Sequence, residues 1–224
     1  MLRTLNLAGS EPTVSAQREP LPVGGTTKRA LDVAIAGTAI LVLSPLILMV
    51  ALLIVLTMGR PILFPQRRLG YGGKTFACYK FRTMVKNADE ALKAHLEADP
   101  EAAREWRVRQ KLEHDPRVTL LGRILRRSSL DELPQLLNVL RGDMSCIGPR
   151  PVVHDEIARY GKYWKDYTRA RPGLTGAWQV SGRNRLSYPR RVAIDSRYVR
   201  NWSLAWDLWI LVKTIPAVLR SDTT

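Results

Sequence analysis

Cysteine and histidine are scarce in this chain of 224 residues, which has two cysteines, Cys78 and Cys146, and three histidines. Two cysteines exclude a disulfide framework, and neither residue type clusters at the spacing of a zinc or haem site. Acidic residues are also few, 20 against 35 lysines and arginines, giving a formal charge of +15 and a pI of about 10.4. That imbalance calls for an anionic partner: a phospholipid surface, phosphate-bearing substrates or nucleic acid. The chain has no GxxxxGKS/T, no GxGxxG and no HExxH, so P-loop, dinucleotide and zinc-protease chemistry lack support. Residues 1–27 contain Glu11, Pro12, Glu19, Pro20, Pro22 and a glycine pair, without the apolar core of a cleavable signal, and are expected to form a disordered cytoplasmic tail.

What the chain does have is one long uncharged run, Val33 to Gly59, with Ser44-Pro45 at its middle. Roughly 27 residues at about 1.5 Å each give about 40 Å of helix, longer than the ~30 Å hydrocarbon core of a bilayer. Proline removes a backbone donor and clashes with the preceding turn, so Pro45 can break the run into two halves. Lys28 and Arg29 precede the run, and Arg60, Arg67 and Arg68 follow it. Basic flanks mark the cytoplasmic side, and here both flanks are basic. A re-entrant helical hairpin over residues 28–59 is therefore favoured over a kinked single span or a buried core helix. In that setting the lipid surface is the better match to the positive charge, and nucleic acid is not expected.

Residues 60–224 are long enough for one cytoplasmic domain, and a hydrophobic content of 46% supplies its core. Thr75 to Met84 reads as an extended segment with Phe76, Cys78, Lys80 and Arg82 on one face. Asn87 with Glu90 opens a helix through Leu96, and Pro100 opens another through about Lys111. Arg117 to Arg127 is a basic amphipathic segment, with Val118, Leu121 and Leu125 on one side and Arg123, Arg126 and Arg127 on another. It is suited either to the membrane interface or to packing on its own domain. Trp202, Trp206, Trp209, Ile210 and Lys213 form a second candidate interfacial helix, ended by Pro216. The expected class is mainly α (α+β): a membrane hairpin, amphipathic helices and a few short strands.

The chemistry-bearing residues are densest from Arg126 to Pro151, RRSSLDELPQLLNVLRGDMSCIGPRP. Ser129 and Glu132 have capping-box spacing, which would put Asp131 and Glu132 in a first helical turn as mere dipole partners. Adjacent carboxylates beside Arg126 and Arg127 can also divide labour, one attacking phosphorus while the other holds a divalent metal. Pro134 can fix their geometry. In Gly148-Pro149-Arg150-Pro151 an arginine sits between prolines, suited to bidentate phosphate binding. Arg171 to Arg183, RPGLTGAWQVSGR, reads as a glycine-rich loop in which Trp178 can stack on a base and Gln179 can read its edge.

These motifs in order, KRALDV before the Ser-Pro hairpin, FPQRRLGYGGKTF, YKFRTM, SLDELPQLLNVLRGDMSCIGPRP and RPGLTGAWQVSGR, resemble the bacterial sugar transferases, the monotopic polyprenyl-phosphate phosphoglycosyl transferases. The resemblance covers Lys28 to the C-terminus. It implies transfer of a hexose 1-phosphate, galactose or glucose, from a UDP-sugar to polyprenyl (undecaprenyl) phosphate, releasing UMP, as the first membrane step of exopolysaccharide synthesis on the cytoplasmic face of the inner membrane. It further implies Asp131 as nucleophile forming a covalent phosphosugar intermediate, Glu132 as Mg²⁺ ligand and Arg150 with Pro151 as phosphate binders. Lys80 and Arg82 would add charge beside them, Arg126 would lie near the headgroups, Gln179 and Arg183 would line the nucleotide pocket, and the chain would form a homodimer. The rival readings are a membrane-anchored binder of anionic lipid or nucleic acid, and an assembly factor, both without catalysis.

Overall fold

The computed structural model describes residues 20–109, 111–182 and 185–219. Helix α1 spans Gly25–Met58 with Pro45 inside it, and begins three residues before the boundary expected at residue 28. The chain ahead of it, from Pro20, is packed rather than loose: Val23 N–H donates to the Arg169 carbonyl at 2.9 Å, and Tyr71 Oη donates to the Pro20 carbonyl. The expected break at Ser44-Pro45 does not interrupt the helix as an element. Pro45 cannot donate to the Leu41 carbonyl, but Ser44 Oγ does so at 2.8 Å, so the acceptor that the proline orphans is satisfied locally.

The buried positions of α1, namely Lys28, Asp32, Ala36, Val50 and Ile54, recur at multiples of about four residues along its length. One stripe thus faces the rest of the protein over both halves, while Leu41, Val42, Leu48, Met49, Leu52, Leu53 and Leu56 on the other side remain exposed. The helix is long and apolar enough to cross a membrane. Yet its two ends are fastened to one body. Near the start, Lys28 Nζ is 2.6 Å from Asp207 Oδ2, and Asp32 Oδ1 accepts from Ser145 Oγ and the Cys146 N–H, each at 2.9 Å. At the other end, Arg82 reaches the terminal carbonyls of Met58 and Gly59, both at 2.6 Å.

After α1 come β1 (Leu63–Leu69) and β2 (Thr75–Phe81), an antiparallel hairpin in which Phe64 faces Lys80, Gln66 faces Cys78 and Arg68 faces Phe76. Then follow α2 (Ala88–Ala98), α3 (Pro100–Arg109), α4 (Leu120–Arg127) and α5 (Gln135–Arg141). Strand β3 (Ser145–Ile147) precedes two short helices, α6 (Ile157–Tyr160) and α7 (Trp164–Tyr167). It pairs in parallel with β4 (Gly173–Thr175), which leads into α8 (Ala177–Ser181), α9 (Tyr188–Arg200) and α10 (Leu204–Leu219). The expectation of a mostly helical chain with few short strands holds. Two local expectations do not. Arg171 to Arg183 is not simply a loop, since it contributes β4 and α8. Helix α10 passes through Pro216 instead of ending there.

The main core joins α1, α5, β3, α9 and α10 through Ala36, Leu136, Val139, Met144, Ile147, Tyr198 and Ile210. A second cluster wraps Val50 and Ile54 of α1 with Phe81 and Leu125. Exposed apolar side chains concentrate on α1, on α4 (Leu120, Ile124), on α5 (Leu137, Leu140) and on α10 (Leu204, Leu208, Trp209, Val212, Ile215). Of the three tryptophans expected at an interface, only Trp209 is in that exposed set. Trp202 donates to Asp207 at 2.9 Å, and Trp206 packs edge-on against Tyr198.

Candidate active site

The two adjacent carboxylates sit in a single 3₁₀ turn, Leu130–Glu132, between α4 and α5. Helix α4 is capped by Thr119, whose Oγ1 accepts from Gly122 N–H at 2.9 Å, and it approaches the end of β2 closely. A Cβ on Gly122 would fall 1.9 Å from the Thr83 carbonyl oxygen, so only glycine allows that contact. The chain then turns through Ser129, whose φ of 57° is in the left-handed region that non-glycine residues seldom occupy. The capping box expected from Ser129 and Glu132 does not form: the Ser129 side chain caps nothing, and its carbonyl accepts from Glu132 N–H at 3.2 Å. The carboxylates are held by the turn itself, with Pro134 leading into α5.

Lys80 closes this turn from β2. Its Nζ lies 2.6 Å from Glu132 Oε1 and 3.8 Å from Asp131 Oδ2. The strand is held in place by Asn138 of α5, a fully buried side chain that accepts from Tyr79 N–H at 3.0 Å and donates to the Ala77 carbonyl at 2.7 Å. Asn138 therefore acts as an extra rung on β2 and fixes Lys80 relative to Asp131. Asp131 is buried and Glu132 is partly exposed. Burial pushes the Asp131 carboxyl above its ordinary range; Lys80 opposes this, Glu132 adds to it, and Arg126 opposes it. The ionised form of Asp131 thus depends on those two cations.

A second cationic group gathers around Cys78, one alternation before Lys80 on β2. Burial pushes the Cys78 thiol up to about 11, with Lys80, Arg68 and Arg150 acting against that rise. Arg68, read from sequence only as a flanking charge, binds the expected phosphate loop: it donates to the Pro151 carbonyl at 3.2 Å and lies 3.8 Å from Glu156 Oε2. Asp195 on α9 holds the same loop from the other side, receiving the Arg150 backbone N–H. Asp195 is buried with Oδ1 unpartnered, and burial drives its carboxyl well above the normal range despite Arg150. The Arg150 side chain is exposed and faces the Trp178 ring at 6.0 Å. Arg68, Asn138 and Asp195 were not singled out by sequence reasoning; a lone asparagine within the apolar stretch LLNVL was the one visible hint.

Asp131, Glu132, Lys80 and Arg126 are brought together, with Arg126 Nε also donating to Thr83 Oγ1 at 2.9 Å. Arg150 and Pro151 lie on the adjoining loop. Arg82 is not at the site: it is buried, spending its guanidinium on the carbonyls of Met58, Gly59 and Arg60, because three orphaned acceptors at the end of α1 outcompete solvent. Trp178 is buried, with the Arg150 and Arg191 guanidiniums 6.0 and 4.7 Å from its ring centroid, and presents no open face for a base. Gln179 is half-buried with Oε1 unpartnered, and Arg183 lies outside the described residues.

No group of three or more histidine, cysteine or carboxylate side chains able to hold a metal occurs among the described residues. The dyad nonetheless holds a cation, the Lys80 ammonium, and Mg²⁺ characteristically binds one or two carboxylates with substrate phosphates completing its shell. The donor set thus fits a substrate-dependent Mg²⁺ site centred on Glu132.

The site thus joins one buried and one partly exposed carboxylate with Lys80 and Arg126, close to helices that carry exposed apolar side chains. The chain belongs to the bacterial sugar transferase family, which it matches over residues 23–221. It is 54% identical over 200 residues to the exopolysaccharide production protein ExoY of Sinorhizobium fredii, covering 89% of this chain and 88% of that protein. It is 44% identical over 205 residues to the UDP-glucose:undecaprenyl-phosphate glucose-1-phosphate transferase of Caulobacter vibrioides, covering 87% and 70%. Against the undecaprenyl-phosphate galactose phosphotransferase of Salmonella typhimurium the identity is 50% over 196 residues, 87% of this chain and 41% of that longer protein.

Proposed function

We propose that this enzyme transfers a hexose 1-phosphate, galactose or glucose, from a UDP-sugar to undecaprenyl phosphate as an opening step of exopolysaccharide synthesis. The observation that carries the reading is the Asp131–Glu132 pair, set under Lys80 and Arg126 in a turn whose flanking helices expose apolar side chains. Similarity to a galactose phosphotransferase and to a glucose-1-phosphate transferase supports the substrate class.

In this reading the Asp131 carboxylate attacks the β-phosphorus, forming an aspartyl–phosphorus bond as the bond to the bridging oxygen breaks and UMP departs with the electron pair. An oxygen of undecaprenyl phosphate then attacks the same phosphorus and releases Asp131 with the lipid diphosphate sugar. Attack of an anion on a diphosphate meets like charge, so catalysis is chiefly neutralisation and positioning. Arg126 and Arg150 serve that role, with Arg68 and Asp195 holding the Arg150 loop. Mg²⁺ bound at Glu132 would supply further neutralisation of the phosphate oxygens.

We place the site on the cytoplasmic face of the inner membrane, with α1 as a re-entrant, monotopic anchor. Support comes from α1 itself: both of its ends are fastened to the same domain, and its buried stripe runs along both halves. A helix that only projected from the domain would be fastened at one end.

The test is trapping: purified protein with Mg²⁺ and UDP-galactose or UDP-glucose, without lipid acceptor, read by intact mass. One added hexose phosphate in the native protein and none in Asp131→Asn is the expected result. Lipid product without any adduct would mean direct transfer. Neither adduct nor product would restore the non-catalytic binder of anionic surfaces.

A further inference from the structure

The Lys80 ammonium is the cation that the Asp131–Glu132 dyad holds in this structure. One ammonium serves both carboxylates, at 2.6 Å from Glu132 and 3.8 Å from Asp131. The arrangement is built, because β2 is locked to α5 through Asn138 and the carboxylates precede α5 directly. It is also open to exchange: the Glu132 side chain is 39% exposed and the Lys80 side chain 26%. A metal ion and an ammonium cannot both sit within a few ångströms of one carboxylate oxygen without strong repulsion. Lysine, a point charge on a flexible four-carbon stem, can leave one anion for another. The anion that arrives with the substrate is a diphosphate.

We propose that Lys80 is an exchangeable plug of the metal position, which couples binding of the metal to binding of the nucleoside diphosphate. In the free enzyme Lys80 neutralises Glu132 and keeps metal affinity low. When the diphosphate enters, its oxygens draw the ammonium from Glu132, which then takes the metal. By linkage the metal must raise diphosphate affinity by the same factor. The inference rests on the metal-assisted reading above and adds an assignment to it, Lys80 as the residue that sets binding order.

The test uses the full-length protein in lipid nanodiscs with Mn²⁺ as probe, free Mn²⁺ being read by electron paramagnetic resonance, with and without UDP. A parallel titration without protein corrects for the Mn–UDP complex. In the native protein, UDP should tighten Mn²⁺ roughly tenfold. Lys80→Gln and Lys80→Met should bind Mn²⁺ several-fold more tightly than native without UDP, and the effect of UDP should shrink, a change that a merely structural lysine would not produce. Neutral variants that bind Mn²⁺ no better than native overturn the proposal, as does an absence of UDP coupling in the native protein, which needs no variant. Glu132→Gln separates the two levels: Mn²⁺ binding that survives it removes the metal reading and the plug together. Binding lost in Glu132→Gln but indifferent to Lys80 removes the plug alone.

Discussion

Lys28 in α1 and Asp207 in α10 form a buried ion pair at 2.6 Å, with Asp207 fully enclosed and also receiving Tyr198 Oη at 2.6 Å and Trp202 Nε1 at 2.9 Å. A basic residue that sequence reasoning reads only as a flank of the apolar run is part of the joint between α1 and the C-terminal helix. Removing one partner leaves the other charged and sealed. Lys28→Ala should therefore cost about 3–5 kcal/mol, read as a lowered melting temperature in lipid nanodiscs. The double variant Lys28→Met, Asp207→Leu should recover much of that loss.

Ser44→Ala leaves the Leu41 carbonyl without the donor that stands in for the missing Pro45 N–H. In an apolar setting this should cost about 1–3 kcal/mol. Pro45→Ala restores the normal ladder and should favour a straight, spanning helix. Reporters attached beyond residue 60 should be cytoplasmic in the native protein, and a shift of that signal in Pro45→Ala would locate the topological control at this pair.

Arg82 and Arg150 were both expected at the substrate, and the structure separates them. Arg82→Ala should lower stability by about 2–4 kcal/mol, through lost charged hydrogen bonds and uncapped carbonyls, without raising KM for the UDP-sugar in the folded fraction. Arg150→Ala should leave the melting temperature nearly unchanged and raise KM. Steady-state kinetics beside a thermal melt distinguishes the two.

Asp195 has a raised carboxyl pKa caused by burial. The folded state therefore binds the proton more tightly than the unfolded chain, whose aspartate titrates near ~3.9. Its contribution to stability is present below that value and declines as pH rises toward the folded pKa. Asp195→Asn should remove that slope in pH-dependent denaturation while keeping an acceptor for Arg150 N–H. Asp195→Ala should cost about 1–3 kcal/mol and reduce turnover through Arg150.

Gly148 begins the Arg150 loop where two chain segments cross: an added Cβ would lie 2.4 Å from the Arg171 carbonyl oxygen and 2.8 Å from Gly173 N. Gly148→Ala should destabilise by about 1–3 kcal/mol and depress turnover. Gly161→Ala, with no heavy atom near its Cβ but φ at +50°, should cost about 1 kcal/mol and leave turnover intact. Melting curves and initial rates on both variants check the contrast.

Much was legible because it is written in local pattern. The apolar run gave a long helix, alternation in TFACYKF gave β2, the amphipathic pattern of Arg117 to Arg127 gave α4, and the Asp131–Glu132 pair stood out among basic residues. Some local rules failed where tertiary contacts had stronger claims. The Ser129 cap lost to a left-handed turn, the Pro216 stop lost to a continuing α10, and the presumed loop after Arg171 became β4 and α8 because Gly148 and Gly173 let the two segments approach closely, Gly148 N–H donating to the Thr175 carbonyl and Gly173 N–H to the Pro149 carbonyl.

The sequence by itself determined composition-level facts: excess positive charge, one membrane-length apolar helix, a carboxylate pair among cations and the motif order of a sugar transferase. Only the tertiary structure decided which charges do which task. Side chains far apart in sequence compete for the same anions and carbonyls. Position in the fold gave Lys28 to Asp207, Arg82 to the end of α1, Lys80 to Glu132 and Arg68 to Pro151, because a long cationic side chain settles where desolvation is best offset by fixed acceptors. That choice depends on distances across the fold, which no local pattern encodes.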